Sequence, residues 1–126
     1  MNNLEKLNKI KRGVPLEYLE IYICEVEEDE LIDYIVIAFD LNLKFIIEID
    51  SSGENISFIN ENDLETNIKK SGIQYKIKRI IEIPLPFNFF SAEYTEWQEL
   101  NTLNFIFGEI KLKITLDVDS FKIKLS

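Results

Sequence analysis

The stretch LIDYIVIAF, residues 31–39, carries the strongest structural signal in the chain. Its second part, residues 34–39, places six apolar or aromatic side chains in a row, and three of them are β-branched. A strand with one wet face alternates apolar and polar residues, whereas an unbroken apolar run is typical of a strand buried on both faces. We therefore expect residues 31–39 to form a central strand of a sheet.

The segments on either side of this strand alternate apolar and polar side chains, which is the pattern of half-buried strands. Residues 17–27 precede the central strand, and residues 43–50 and 55–59 follow it. Turn residues separate the four segments, so the simplest arrangement is an antiparallel meander. A short amphipathic helix over residues 3–11 is predicted in front of this meander.

An aromatic segment in the second half of the chain predicts a packed helix. Ser91 has the side chain of a helix N-cap, and residues 92–103 follow it without glycine or proline. Phe90, Tyr94 and Trp97 would fall on one face of this helix. We expect that face to pack against the sheet.

The other elements of the second half follow from capping, breaking and alternation patterns. They are a helix capped by Asn62 or Asp63 and ended by Gly72, strands over residues 73–83, 109–116 and 121–125, and a hairpin turn at residues 117–120.

Length and composition favour one folded unit. The chain has 126 residues, and its 21 isoleucines against two alanines favour sheet over helix, because β-branched side chains fit a pleated surface. We expect a single α+β domain over residues 1–126. It would have a mostly antiparallel curved sheet of six or seven strands with two or three short helices.

Most catalytic chemistries lack the residues that they need. The chain has no histidine, which removes the usual general base and the commonest transition-metal ligand. Cys24, the single cysteine, cannot form an intramolecular disulfide and is predicted to be a core residue. The four glycines form no phosphate-binding loop. We therefore expect no enzyme activity, no catalytic residues, no cofactor and no metal site.

Compartment and partner class are constrained by the same composition. No signal-peptide pattern is visible, and the longest uncharged stretch, residues 83–92, is too short for a membrane-spanning helix. A reducing, cytoplasmic environment fits a lone cysteine best. Nucleic acid is a poor partner, because binding phosphates requires clustered lysine and arginine.

Negative charge is concentrated in the first half of the chain. The net charge is −9, and residues 1–63 carry 15 acids against 5 bases. Residues 17–33 hold no lysine or arginine. A solvated turn and the wet face of a strand are one explanation, and a surface that steers a basic partner is the other. The candidate binding residues in this segment are Glu25, Glu27, Glu28, Asp29, Glu30 and Asp33.

The segment PLPFNFF, residues 84–90, is a second candidate binding region. Its prolines predict a loop, and loop aromatics that remain exposed serve as interface anchors. Core packing is the alternative for these rings. Phe87 and Phe89 are the candidate anchors.

A small, acidic, histidine-free chain with one concentrated negative segment is typical of an inhibitor. We expect a bacterial immunity protein that neutralises a basic toxin, such as a nuclease, with carboxylates in place of phosphates. The alternative is a curved-sheet module that holds a small or apolar ligand among Tyr18, Tyr22, Phe39 and the aromatic helix. An enzyme that uses only carboxylates is a third hypothesis. The oligomeric state is left open.

Overall fold

The computed structural model describes residues 2–40, 43–81 and 84–126. Within these ranges the chain forms two helices and eleven strands in three antiparallel sheets, an α+β arrangement. The helices are α1 (Asn3–Asn8) and α2 (Glu61–Ser71). The strands are β1 (Pro15–Leu16), β2 (Tyr18–Val26), β3 (Asp29–Asp40), β4 (Leu43–Ile49), β5 (Ile56–Ile59), β6 (Lys76–Ile81), β7 (Leu85–Pro86), β8 (Phe89–Tyr94), β9 (Leu100–Phe107), β10 (Ile110–Asp117) and β11 (Ser120–Leu125).

The first sheet is built around β3, as the apolar run predicts. Its five strands lie in the order β5-β4-β3-β2-β6, so β3 is the middle strand. All six residues from 34 to 39 are buried. The prediction of a central strand buried on both faces is confirmed.

The second sheet supplies the other half of the core. Its four strands lie in the order β11-β10-β9-β8, and β1 and β7 form a separate two-stranded sheet. Ile35, Ile37 and Phe39 on β3 belong to the same apolar cluster as Leu103 and Phe105 on β9. The two larger sheets therefore pack face to face through their apolar sides.

Helix α2 covers the opposite face of the five-stranded sheet. Leu64 on the helix packs with Tyr34 and Val36 of β3. The N-cap of the helix is Asn60, whose Oδ1 accepts a hydrogen bond from the Asp63 backbone N–H at 2.7 Å, and not Asn62 or Asp63 as predicted. The helix ends at Gly72 in the left-handed conformation (φ 67°), as predicted.

The prediction of a helix over residues 92–103 is wrong. Strands β8 and β9 occupy this region and pair as an antiparallel hairpin, with Phe90 opposite Phe105 and Ala92 opposite Leu103. Phe90 and Tyr94 are four residues apart, which fits both a helical and a strand period, and burial of Phe90 in the core favours the strand. Trp97, placed on the packed face of the predicted helix, lies in the connecting loop with 77% of its surface exposed.

The strand count and two boundaries also differ from the predictions. The prediction is one sheet of six or seven strands, whereas the described residues form eleven strands in three sheets. The difference arises because the β8–β9 hairpin replaces a helix and β1 and β7 add a short pair. The strand predicted over residues 73–83 begins at Lys76, and Ile83 lies outside the described residues. Helix α1 ends at Asn8 rather than near residue 11. The turn at residues 117–120 is confirmed as the β10–β11 hairpin.

The β2–β3 hairpin turn contains a testable backbone constraint. Val26 pairs with Asp29, which leaves Glu27 and Glu28 as the two loop residues. Glu27 has a φ of 59°, whereas Glu28 is not among the residues with positive φ. Non-glycine side chains disfavour this left-handed region, so Glu27 bears a conformational cost that glycine would remove.

We expect Glu27→Gly to raise the free energy of unfolding by about 1 kcal/mol. Glu28→Gly is the matched control, because it removes the same charge and adds the same unfolded-state freedom at a residue with ordinary φ. Urea denaturation of the two variants measures the difference. Equal stabilities, or a less stable Glu27→Gly, would contradict the assigned turn geometry.

Candidate functional site

Four chain connections meet at one end of the two packed sheets. The backbone N–H of Ile32 donates to Oγ of Ser120 at 2.9 Å, which joins the β2–β3 hairpin to the β10–β11 hairpin. A cleft of about 440 Å³ lies between Asp33, residues 50–53 and Asp119. The Leu100 N–H donates to Oδ1 of Asn55 at 3.1 Å and so ties in the β8–β9 loop. We call the four connections the acidic end; they are residues 25–30, 50–55, 95–99 and 117–120.

Charge at the acidic end has one sign. The four connections contain eleven of the chain's 23 aspartates and glutamates and no lysine or arginine. Among the described residues, one ion pair reaches this end, from Lys122 to Asp117 at 2.7 Å. The acids are Glu25, Glu27, Glu28, Asp29, Glu30, Asp50, Glu54, Glu96, Glu99, Asp117 and Asp119. Their fields add to a negative potential over one end of the molecule.

The β2–β3 hairpin projects from this end as a two-stranded ribbon. Strand β4 pairs with β3 only from Tyr34 onward, and β6 pairs with β2 only as far as Ile23. Residues 24–32 therefore extend beyond both neighbouring strands. Five of the six predicted acidic site residues lie here, exposed: Glu25, Glu27, Glu28, Asp29 and Glu30.

Like charges face each other across this ribbon. Glu25 pairs directly with Glu30, and Val26 pairs with Asp29. Carboxylates in directly opposite positions of an antiparallel pair repel and destabilise it. No described lysine or arginine forms an ion pair with any acid of residues 25–30. The ribbon keeps a repulsion that a cation from outside would relieve.

Asp33, the sixth predicted acidic residue, is in a different environment. It is the extra residue of a β-bulge, because Tyr22 pairs with Tyr34 while Ile23 pairs with Ile32. Its Oδ2 accepts a hydrogen bond from the Tyr75 hydroxyl at 2.7 Å and one from Sγ of Cys24 at 3.4 Å. Asp33 is half-buried at the base of the ribbon and lines the cleft, where it holds Tyr75 in place.

The same contacts make Cys24 a poor nucleophile. Its side chain is buried, and burial together with the hydrogen bond to Asp33 raises the pKa of the thiol to about 11. Burial and the contact with Asp33 also raise the pKa of Tyr75. Burial, the larger cause of both pKa shifts, disfavours the charged form, and removing a proton would also leave a second negative charge beside the Asp33 carboxylate. Cys24 is a buried residue, as the sequence predicts.

The structure separates the two predicted aromatic anchors from the acids. Phe87 is 3% exposed and stacks edge-on against Phe39 in the core, so its ring is not part of the surface. Phe89 is 56% exposed, but it begins β8 at the end opposite to the acidic end. Neither ring lies beside Glu25 to Glu30.

The most exposed aromatic side chain at the acidic end is Trp97, at 77%, with Tyr94 next to the loop at 51%. The helix prediction places both on a packed face. Trp97 lies in the loop of residues 95–99 between β8 and β9. The acids of the other three connections outside residues 25–30 were missed for a related reason. Each of these three connections contributes only two acids, and the sequence alone does not show that the hairpin loops lie together at one end of the molecule.

The residues proposed to enclose an apolar ligand lie on two faces of one sheet. Tyr18 and Tyr22 pack in the cluster beneath α2, whereas Phe39 lies in the core between the two larger sheets. The helix expected to complete the cavity is the β8–β9 hairpin. These three residues therefore do not share a cavity.

No protein-family model, curated protein or solved structure matches the chain. The described helices include none with the length and apolarity needed to cross a bilayer. Residues 2–40, 43–81 and 84–126 also bring together no group of three acidic or cysteine side chains suited to hold a metal ion.

The Cys24 environment predicts slow thiol chemistry. A pKa of about 11 in place of 9.0 lowers the thiolate fraction at pH 7.5 about 100-fold, so iodoacetamide should modify the folded protein at least that much more slowly than the urea-unfolded chain. Because the folded thiol holds its proton to higher pH, this group's contribution to stability is complete below pH 9 and is lost as pH rises through about 11.

The variant Asp33→Asn distinguishes the effect of the carboxylate on the Cys24 pKa from the effect of burial. It removes the negative charge that opposes thiolate formation, so the pH at which the alkylation rate levels off should fall in the variant. A rate for the native protein that levels off near pH 9 would contradict the assigned environment.

Proposed function

We propose that the chain is a non-catalytic, protein-binding inhibitor of the bacterial immunity type, which neutralises a basic toxin such as a nuclease in the cytoplasm. The observation that carries this proposal is the acidic end, where eleven carboxylates gather without one lysine or arginine. An enzyme that binds nucleic acid must present lysine and arginine to the phosphates. Carboxylates in place of the phosphates would occupy the same lysine and arginine side chains.

The projecting ribbon is the part that enters the partner. Residues 24–32 extend beyond β4 and β6, and both carboxylates of the Glu25 and Glu30 pair are exposed. A narrow two-stranded element fits a groove shaped for a nucleic acid strand. Binding a lysine or arginine between the paired carboxylates would replace their repulsion with attraction.

The opposite pole of the molecule supports an oriented approach. The segment from α1 to Gly13 carries Lys6, Lys9, Lys11 and Arg12, and the Gly13 N–H donates to the Phe87 carbonyl at 2.7 Å. This contact places the basic segment beside the start of β8, away from the acidic end. Glu5, Glu17, Asp40 and Glu109 lie toward the same pole and leave it nearly neutral. The contrast with the acidic end orients the molecule in the field of a basic partner and speeds productive encounters.

The test uses a charge-reversal variant with a matched control. Glu27→Lys, Glu28→Lys and Glu30→Lys together should weaken binding of a basic partner by about 100-fold or more, because each change turns attraction into repulsion. Glu5→Lys, Glu65→Lys and Glu109→Lys make the same change in net charge at exposed sites outside the acidic end. This control should bind nearly as the native protein does.

Both proteins and the native chain are immobilised and exposed to extract of the source cells at low and high salt. We expect a basic polypeptide to be retained by the native chain and the control, to be released by salt, and to inhibit growth unless the native chain is co-expressed. Equal retention of that polypeptide by the charge-reversal variant would contradict the proposed role of the acidic end.

A further inference from the structure

Trp97 is held rigidly at the acidic end although its side chain is exposed. The Thr95 hydroxyl oxygen accepts hydrogen bonds from the backbone N–H groups of Trp97 and Glu99, each at 3.3 Å. The Thr95 N–H donates to the Glu99 carbonyl at 2.9 Å, and Gln98 has a φ of 63°. The loop is thus closed on itself and tied to the neighbouring loop through Asn55.

An exposed tryptophan on a braced loop is suited to be an interface anchor. At 77% exposure, Trp97 presents more of its surface than any other large apolar side chain in the described ranges except Val118. Interface hot spots are enriched in tryptophan, and a fixed backbone lowers the entropy lost when the partner covers the ring.

The surroundings of Trp97 favour a cationic ligand. Glu96 and Glu99 flank it, and the Glu99 carboxyl lies close enough to that of Glu54 to raise the pKa of Glu54. In the described part of the chain, no lysine or arginine forms an ion pair with these three acids, and no cation lies over the indole ring. A cation from a partner would contact both the carboxylates and the ring.

The Tyr18 ring is approached by both kinds of cation in this chain: Lys44 Nζ lies 5.9 Å from its centroid, and the arginine lies closer. The Arg79 guanidinium lies over the Tyr18 ring at 3.9 Å from the centroid, and its Nε donates to Glu20 at 2.9 Å. An arginine can do both because its planar guanidinium stacks on a ring while its edge donates hydrogen bonds. Trp97 and Glu99 have the same spacing in sequence, in a loop rather than on a strand.

We infer that Trp97 anchors the partner interface by stacking on an arginine of the basic partner, whose guanidinium is held by Glu96 and Glu99. This inference rests on the proposed function and specifies what the partner must present. An arginine would be selected over a lysine, because an ammonium group cannot stack and donate in one plane.

The inference is tested with two peptide probes, an octapeptide of alternating glycine and arginine and one of alternating glycine and lysine. Binding of dye-labelled peptides is followed by anisotropy, and the emission of Trp97, the single tryptophan, reports contact directly. We expect the arginine peptide to bind the native chain about threefold or more tightly than the lysine peptide and to change the Trp97 emission.

Trp97→Leu should remove the arginine preference while leaving salt-sensitive binding of both peptides. Phe89→Leu, which alters an exposed ring at the opposite end, should retain the preference; thermal melts check that both variants fold. Equal affinities of the native chain for the two peptides, or a preference that survives Trp97→Leu, would overturn the inference. The proposed function fails separately, when the basic partner binds the charge-reversal variant as well as the native chain.

Discussion

The packing of β3 against the four-stranded sheet is the interaction on which the rest of the structure depends. Phe39 lies between the two sheets, with its ring 6.0 Å from that of Phe105 and 5.5 Å from that of Phe87. Burying the apolar faces of both sheets supplies most of the stabilisation. Because the strands lie across this core, their connections must fall at its two ends, and the acidic end is one result.

The sequence predicts the fold where one period dominates and misleads where two compete. The unbroken apolar run through Phe39 and the capping glycine Gly72 each have one structural explanation, and both predictions are confirmed. The segment from Phe90 onward satisfies a helical and a strand spacing alike. Its conformation is decided by Phe105, fifteen residues later, which offers Phe90 a partner in the core. The residue pattern within the segment itself does not indicate this contact.

The candidate site could be predicted only where its residues are close together in the sequence. The acids of residues 25–30 are adjacent in the chain, so their joint position needs no knowledge of topology. Glu54 and Glu99 are 45 residues apart and meet only because two loops dock through Asn55. The prolines beside Phe87 indicate a loop, which makes the residue a candidate anchor. Its ring is nevertheless buried in the core, because a loop residue can also pack there.

The projecting ribbon also leaves two strand edges open. Beyond Ile23 and Tyr34, neither β6 nor β4 continues the ladder, so backbone N–H and C=O groups on the outer sides of residues 25–30 have no neighbouring strand in the sheet, whereas the Ile32 N–H donates to Ser120 Oγ. Open edges are templates on which other chains add strands and aggregate, and charged side chains are a common defence. The carboxylates of the ribbon therefore keep it from pairing indiscriminately. Solubility and selective recognition would depend on the same side chains.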